Sequence, residues 1–420
     1  MLEWLRDILW LAAALVSSPV WLTSMIVTGK VRTDWPGRLG AQNRILKGAK
    51  PRLLVHAVSV GEVNSIREFV RLADDAWEVV VSTSTNTGFA RARELFAPAH
   101  HVLRYPFDFH FAVRRFLDAV SPDVVVLVEL EIWPAMARQC SKRGIPVVVV
   151  NGRISARSFR RYRHIRWAVK SMFGAVSAVA AQDQVIADRF AALGVSPDRV
   201  QVLGSMKWDT APLETDPAGA AQLAERLGLD RGRQTVVAGS TGPGEEALVF
   251  ESMRELLTRG IQLVVAPRKP ERFDEAARSL PGCVRWSAAK GDENGQGVFL
   301  LDTLGQLRNA YGLADVIVIG RTFNRMGGSD MIEAAAPGKA TIVGPDVSAF
   351  EAPARLLLES GGLIQVNEEE LASEIERLLR DGAARRHMQT AVRRVAQAQR
   401  GVTRKHVDML ARLLPVKTQK

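Results

Sequence analysis

The fold class the sequence predicts is α/β: two doubly wound, Rossmann-like domains facing a cleft. Three observations lead there. The chain has 420 residues, more than one core comfortably organises. Short Val-rich runs alternate with helix-like stretches along almost all of it. Near the middle, Thr210–Ala220 carries Pro212, Pro217 and Gly219, a linker composition, and the alternation resumes beyond it. The expected boundaries are residues 1–30 as a membrane-associated segment, 31–210 and 221–420 as the domains, and 211–220 between them.

The N-terminal segment comes first. Ile8–Thr28 holds no charged residue and is close to the roughly 20 apolar residues that cross a bilayer. Ser17, Ser18 and Pro19 interrupt it, so a spanning anchor, a helix lying in the interface and a cleaved signal peptide all remain open. Lys30, Arg32, Arg38, Arg44 and Lys47 follow the run. That asymmetry keeps the following domain on the cytoplasmic face.

Strands are expected at Leu53–Val60, Val79–Ser82, Val124–Val128, Val147–Val150 and Ala178–Ala181. Continuous apolar runs of this kind suit parallel strands covered on both faces. Helical patterns lie between them at Gly88–Phe96, Ala112–Val120 and Ala135–Arg143. After the linker, strands are expected at Thr235–Ala238, Leu263–Ala266, Val298–Leu301, Val316–Ile319 and Thr341–Val343. Glu368–Leu414 reads as helical and basic. Ligands of such sheets bind beyond the carboxyl ends of the strands.

Composition narrows the function. The net charge of +11 implies an anionic partner. Arg157, Arg160, Arg161, Arg163 and Arg166 interleave with Phe159, Tyr162 and Trp167, a pattern that favours an anionic membrane surface. No nucleic-acid motif accompanies the patch, so nucleic acid is not expected as a partner. Cys140 and Cys283 have no Cys or His at ligand spacing, so neither a disulfide framework nor a zinc site is expected.

Several motifs sit where strands hand over to helices. Glu62, in His56–Glu62, falls in the first turn of a helix. It either complements the helix dipole, which would keep it ionised, or serves as a general base. Glu129 and Glu131 follow a strand and share a face. They bind a cation, hold acceptor hydroxyls, or pair with Arg153 or Arg157. Ala238–Glu246, with Ser240, is a Gly-rich loop whose backbone N–H groups suit phosphate. Arg268 and Lys269 directly follow a strand and either meet a phosphate or are solvated. Gly327–Glu333 places Asp330 and Glu333 at capping-box spacing, a pattern that also suits ribose hydroxyls.

Taken together these residues resemble the 3-deoxy-D-manno-octulosonic acid (Kdo) transferases. The resemblance runs from about Arg38 to Val366. It includes Ser82–Gly88, Tyr105–Asp108, Glu129–Pro134, Asn151–Ser155, Pro267–Phe273 and Asp302–Gly305 besides the motifs above. It implies a GT-B fold and an inverting transfer of Kdo from CMP-Kdo to a lipid A precursor, with no metal and no cofactor. The first domain would then bind the acceptor and the second the nucleotide sugar. Glu62 maps onto the family's base. Glu129 or Glu131 maps onto its Glu-x-Glu-x-Trp-Pro acid, with Arg153 on the acceptor side. Ser240, Arg268, Asp330 and Glu333 map onto donor contacts. Arg153 or Lys207 would pair with the Kdo carboxylate.

The chain also departs from the family pattern. Gly242 stands where the family usually has His, and Lys269 replaces the His of Arg-His-Pro. Ser329-Asp330-Met331-Ile332 replaces His-Asn-Pro-Leu, and Gly204-Ser205-Met206-Lys207 replaces Gly-Asn-x-Lys. These changes leave two rivals: a GT-B transferase using a UDP-sugar, and a non-catalytic nucleotide- or lipid-binding relative.

Overall fold

The structure is a computed structural model that describes residues 33–211, 217–291 and 297–412. The run Ile8–Thr28, and residues 212–216 of the expected linker, lie outside them. Among the described residues no helix is long and apolar enough to cross a membrane. The chain divides into two compact units, one running to Thr210 and resuming at Gly401, the other covering Ala211–Arg400.

The first unit is built on β1 (Arg52–His56), β2 (Glu78–Thr83), β3 (His101–Arg104), β4 (Val124–Val128), β5 (Val147–Gly152), β6 (Ala178–Ala181) and β7 (Val200–Val202). Their order is β3-β2-β1-β4-β5-β6-β7, and every pairing is parallel. β1, β4 and β5 are buried along their whole length, because helices cover both faces and exclude water from the Val-rich runs. Leu53, Val55, Val79, Val81, Val124 and Val126 share one core with Phe69 and Trp77. The strand order reverses between β1 and β4, so the crevice that such folds use for ligands opens there.

The second unit repeats the plan with β8 (Thr235–Thr241), β9 (Gln262–Pro267), β10 (Val284–Arg285), β11 (Val298–Leu300), β12 (Val316–Ile319), β13 (Ala340–Val343) and β14 (Ile364–Gln365). The order is β10-β11-β9-β8-β12-β13-β14, again parallel throughout. Val236, Leu263, Val298, Val316 and Ile342 pack against Met253, Leu371 and Ile375 of its helices. Its switch point lies between β8 and β12.

Two expectations need correction. β1 stops at His56, and Val60 already begins a helix, Val60–Ser65. Polar Ser59 intervenes as the helix cap, so the apolar run is shorter as a strand than as a sequence pattern. The last helix, Val402–Ala411, was expected in the second domain but belongs to the first unit. Val402, Val407, Met409 and Leu410 join that unit's core. The Asp209 carboxylate accepts hydrogen bonds from Gly401 N at 2.8 Å and Thr403 N at 2.6 Å. These satisfy N–H groups that a helix start leaves unpaired.

Candidate active site

In the first unit the site forms at the switch point. Beyond β1, Ser59 caps the short helix Val60–Ser65. The Val58 N–H donates to Glu62 Oε2 at 2.8 Å, and the Ser59 hydroxyl donates to Glu62 Oε1 at 2.9 Å. This is a variant of the capping box, so Glu62 has a structural task whatever else it does. Its electrostatics go further. Burial, the largest cause, pushes the Glu62 carboxyl up to about 7, the charges of Glu129 and Glu131 raise it too, and the bonds from Val58 and Ser59 hold it back. The expectation that the helix start keeps Glu62 ionised is therefore corrected. A helix of only six residues supplies little dipole, while desolvation and two like charges act on the carboxylate directly. A carboxyl that titrates near neutrality can take up a proton during a reaction at physiological pH.

Glu129 and Glu131 come off the end of β4, directly across the switch point from Glu62. Glu129 has φ +61, a backbone strained for a residue with a side chain. Its carboxylate meets the Arg153 guanidinium at 3.1 Å. Arg153 comes from the end of the neighbouring β5, where Asn151 is also left-handed, with φ +51. Glu131 accepts from the Trp133 indole N–H at 2.9 Å. Its pKa is raised, by burial first and by Glu129, against that bond. The structure thus gathers Glu62, Glu129, Glu131 and Arg153 in one place. The ion-pair reading of Glu129 with Arg153 holds, and Glu131 stays outside it.

The remaining motifs of this unit support that arrangement. Asp108 accepts from Ala135 N at 2.9 Å and Met136 N at 3.1 Å, fixing the helix Pro134–Lys142 that follows the Glu-x-Glu segment. His56 is fully buried, stacked 3.6 Å from the Tyr105 ring, and burial pushes its pKa down to about 3. It is a neutral packing group, its Nδ1 placed 3.1 Å from the Ser82 carbonyl oxygen.

In the second unit the Gly-rich loop follows β8. Gly239 must lack a side chain, since a Cβ there would lie 2.1 Å from the Tyr311 hydroxyl. Ser240 has φ +59 and leads into Thr241 and Gly242. Glu245 draws the loop's donors inward: its carboxylate accepts from Gly242 N at 2.7 Å, from Phe323 N at 2.9 Å, and from Arg321 N. Glu246 takes Thr241 Oγ1 at 2.8 Å and a forked pair from Arg272 at 2.8 and 3.1 Å. The expectation that this loop offers its N–H groups to phosphate is corrected at Gly242, whose N–H is spent on Glu245. Buried carboxylates need several donors to offset their lost hydration, and the loop supplies them.

Arg268 follows β9, and its backbone N–H donates to the Thr241 carbonyl at 3.0 Å. Asp330 caps the helix Met331–Ala335 through Ile332 N at 3.2 Å. The buried Tyr311 hydroxyl lies within electrostatic reach of Glu333, Asp330 and Arg268. Burial raises its pKa first, the two carboxylates add to that, and Arg268 opposes them. Arg268, Asp330 and Glu333 thus all act electrostatically on Tyr311. Sequence reasoning missed Tyr311, inside the helix Leu307–Leu313, and Arg321, just beyond β12; only position after a strand could have pointed to Arg321. Among the described residues no group of His, Cys, Asp and Glu is placed to hold a metal ion.

Comparison with known proteins gives the family and the fold. A family model described as 3-deoxy-D-manno-octulosonic-acid transferase (kdotransferase) matches residues 33–210. The 3-deoxy-D-manno-octulosonic acid transferase of Haemophilus influenzae is 30% identical over 370 residues, spanning 85% of this chain and 86% of that one. The transferase of the same name from Bordetella pertussis is 32% identical over 373 residues, with 85% and 86% covered. Crystal structures of Anabaena HepE in complex with UDP-glucose (TM-score 0.62, 15% identity, 86% of this chain and 100% of that one) and of a glycosyltransferase from Rickettsia africae (TM-score 0.60, 14% identity, 89% and 100%) share the fold. That fold is GT-B, an α/β architecture of two Rossmann-like units.

Proposed function

The chain belongs to the Kdo transferase family, and on that premise we propose that it transfers Kdo from CMP-Kdo to a lipid A precursor with Glu62 as the base. One observation carries the assignment of the base: a carboxyl pushed up to about 7 at the switch point of the first sheet, with Glu129 and Glu131 beside it. An acceptor hydroxyl is a weak nucleophile, so its proton must leave as the new bond forms. Glu62 takes that proton while the acceptor oxygen attacks the anomeric carbon of Kdo. The bond from that carbon to the CMP phosphate oxygen breaks, and CMP departs with the electron pair, giving inversion. Arg268 stabilises the charge growing on the leaving phosphate. Ser240, Asp330 and Glu333 hold the rest of the nucleotide. Arg153, fixed by Glu129, and Glu131 position the acceptor. CMP is a stable leaving group in its own right, so the reaction assigns no step to a metal.

The acceptor is a lipid, and the helix Ala156–His164 supports a membrane-facing reading. It buries none of its residues, Arg160, Arg161 and Arg163 are exposed, and Trp167 beyond it is 86% exposed. Guanidinium groups beside an exposed indole suit an anionic headgroup layer. Together with the uncharged run Ile8–Thr28 in the sequence, this supports a position at the cytoplasmic face of the inner membrane.

The test is transfer by membranes containing the full chain, given labelled CMP-Kdo or labelled UDP-sugars and a tetra-acylated lipid A precursor. Label moving from CMP-Kdo into the lipid is the expected result. Label moving only from a UDP-sugar would overturn the donor, and no transfer from any donor would overturn the enzyme.

A further inference from the structure

We infer that Arg321 is a second anion-binding arm of the donor site, reaching across the bare backbone of Gly242 to share the donor phosphate with Arg268. The inference rests on the donor reading above and adds a residue to it. Arg321 leaves the end of β12 with φ +63, a strained backbone for a residue with a Cβ, of the kind that persists where surrounding structure enforces it. Glu245 does the enforcing, since it accepts the Arg321 backbone N–H. The side chain then passes over Gly242, where a Cβ would lie 3.2 Å from Arg321 Cγ and 2.5 Å from Asn324 Nδ2. Arg321, with Asn324 and with Met326 Sδ at 3.0 Å, thus takes up the space that a side chain at position 242 would need.

The guanidinium is under-satisfied. Arg321 Nε is buried with no hydrogen-bond partner among the described residues, and Nη2 reaches only the Met326 carbonyl, at 3.4 Å. The nearby Glu245 carboxylate already receives three backbone N–H groups. Arg268 is close enough that its charge lowers the Arg321 pKa, second only to burial, with Glu245 opposing. Arg268 and Arg321 follow the two strands that flank β8 on either side of the switch point, and their like charges repel unless an anion lies between them. A phosphate with a fork on each side is the ligand this chemistry recognises.

The experiment is calorimetric titration of the full chain with cytidine, CMP, UDP and inorganic phosphate, for wild type, Arg321→Gly, Arg321→Met and Arg325→Met. Glycine relaxes the left-handed backbone, so Arg321→Gly removes the charge without adding strain. Methionine keeps the bulk should the loop need it. Arg325→Met is the control for a nearby exposed cation. Both Arg321 variants are expected to weaken CMP binding about tenfold to a hundredfold, the usual effect of losing a charge-assisted contact. Cytidine affinity should be unchanged, and Arg325→Met should behave as wild type. CMP affinity unchanged in the Arg321 variants overturns the inference. So does an equal loss of cytidine and CMP affinity, or a wild type that binds none of the four ligands. If wild type prefers UDP and only the Arg321 variants lose it, the anion arm stands and the CMP donor falls.

Discussion

Glu129→Gln should move the pH dependence of transfer. The acid limb of kcat/KM reports the free enzyme's base, so in wild type activity should rise through about pH 7, where Glu62 titrates. Glu129 is the largest charged contributor to that position, and its removal should shift the limb to lower pH. An unmoved limb would mean that another group titrates. Stability follows the opposite sign. The folded carboxyl titrates above its unfolded value of about 4.3, so Glu62 costs the fold most once pH exceeds about 7 and little below about 4. Thermal melts of Glu62→Gln and wild type should therefore show the variant gaining on wild type from about pH 5 to about pH 8; a constant difference would contradict the shift. At this scale the sequence was only partly legible. Residue type and position after a strand pointed to Glu62, Glu129 and Arg268. The elevated pKa of Glu62 depends on burial and on residues some seventy positions away, which no local pattern contains. Arg321 was missed because the space it passes through is left open by Gly242, in the loop after β8 and far away in sequence.

Among elements, the strands absent from the sequence reading are β3, β7, β10 and β14, the four edges of the two sheets. Each is short, and every one of their residues except Arg104 is at least partly exposed. An edge strand is covered less, so it carries no continuous apolar run to recognise. The last helix escaped for a different reason. Its periodicity announces a buried face but not which core buries it. Asp209 decides that by accepting Gly401 and Thr403 N–H groups. Asp209→Ala should cost the first unit about 1–3 kcal/mol, since two donors lose a charged partner. Deleting residues 401–420 should cost more, because Val407, Met409 and Leu410 leave the core and each buried apolar side chain is worth about 1.5–3 kcal/mol. Urea unfolding followed by fluorescence measures both. Equal stability of the truncated and full chains would place the helix elsewhere.

For the molecule as a whole, the two-unit plan was legible from the repeated alternation and the proline-bearing segment, because parallel strands buried on both faces write themselves as apolar runs. The exposed arginines make a whole-chain prediction. Changing Arg160, Arg161 and Arg163 together to Gln should weaken binding to anionic vesicles by roughly a hundredfold, at about 1 kcal/mol per cation, and should flatten its salt dependence. Sedimentation with vesicles at two salt concentrations tests this, and unchanged binding would remove the surface from the account. The central claim assigns the base to the first unit and the nucleotide to the second. The most direct test is Glu62→Gln, measured for Kdo transfer and for CMP affinity on the same preparation. Transfer lowered by about a hundredfold or more with CMP affinity unchanged is the predicted result; near-wild-type transfer would contradict it.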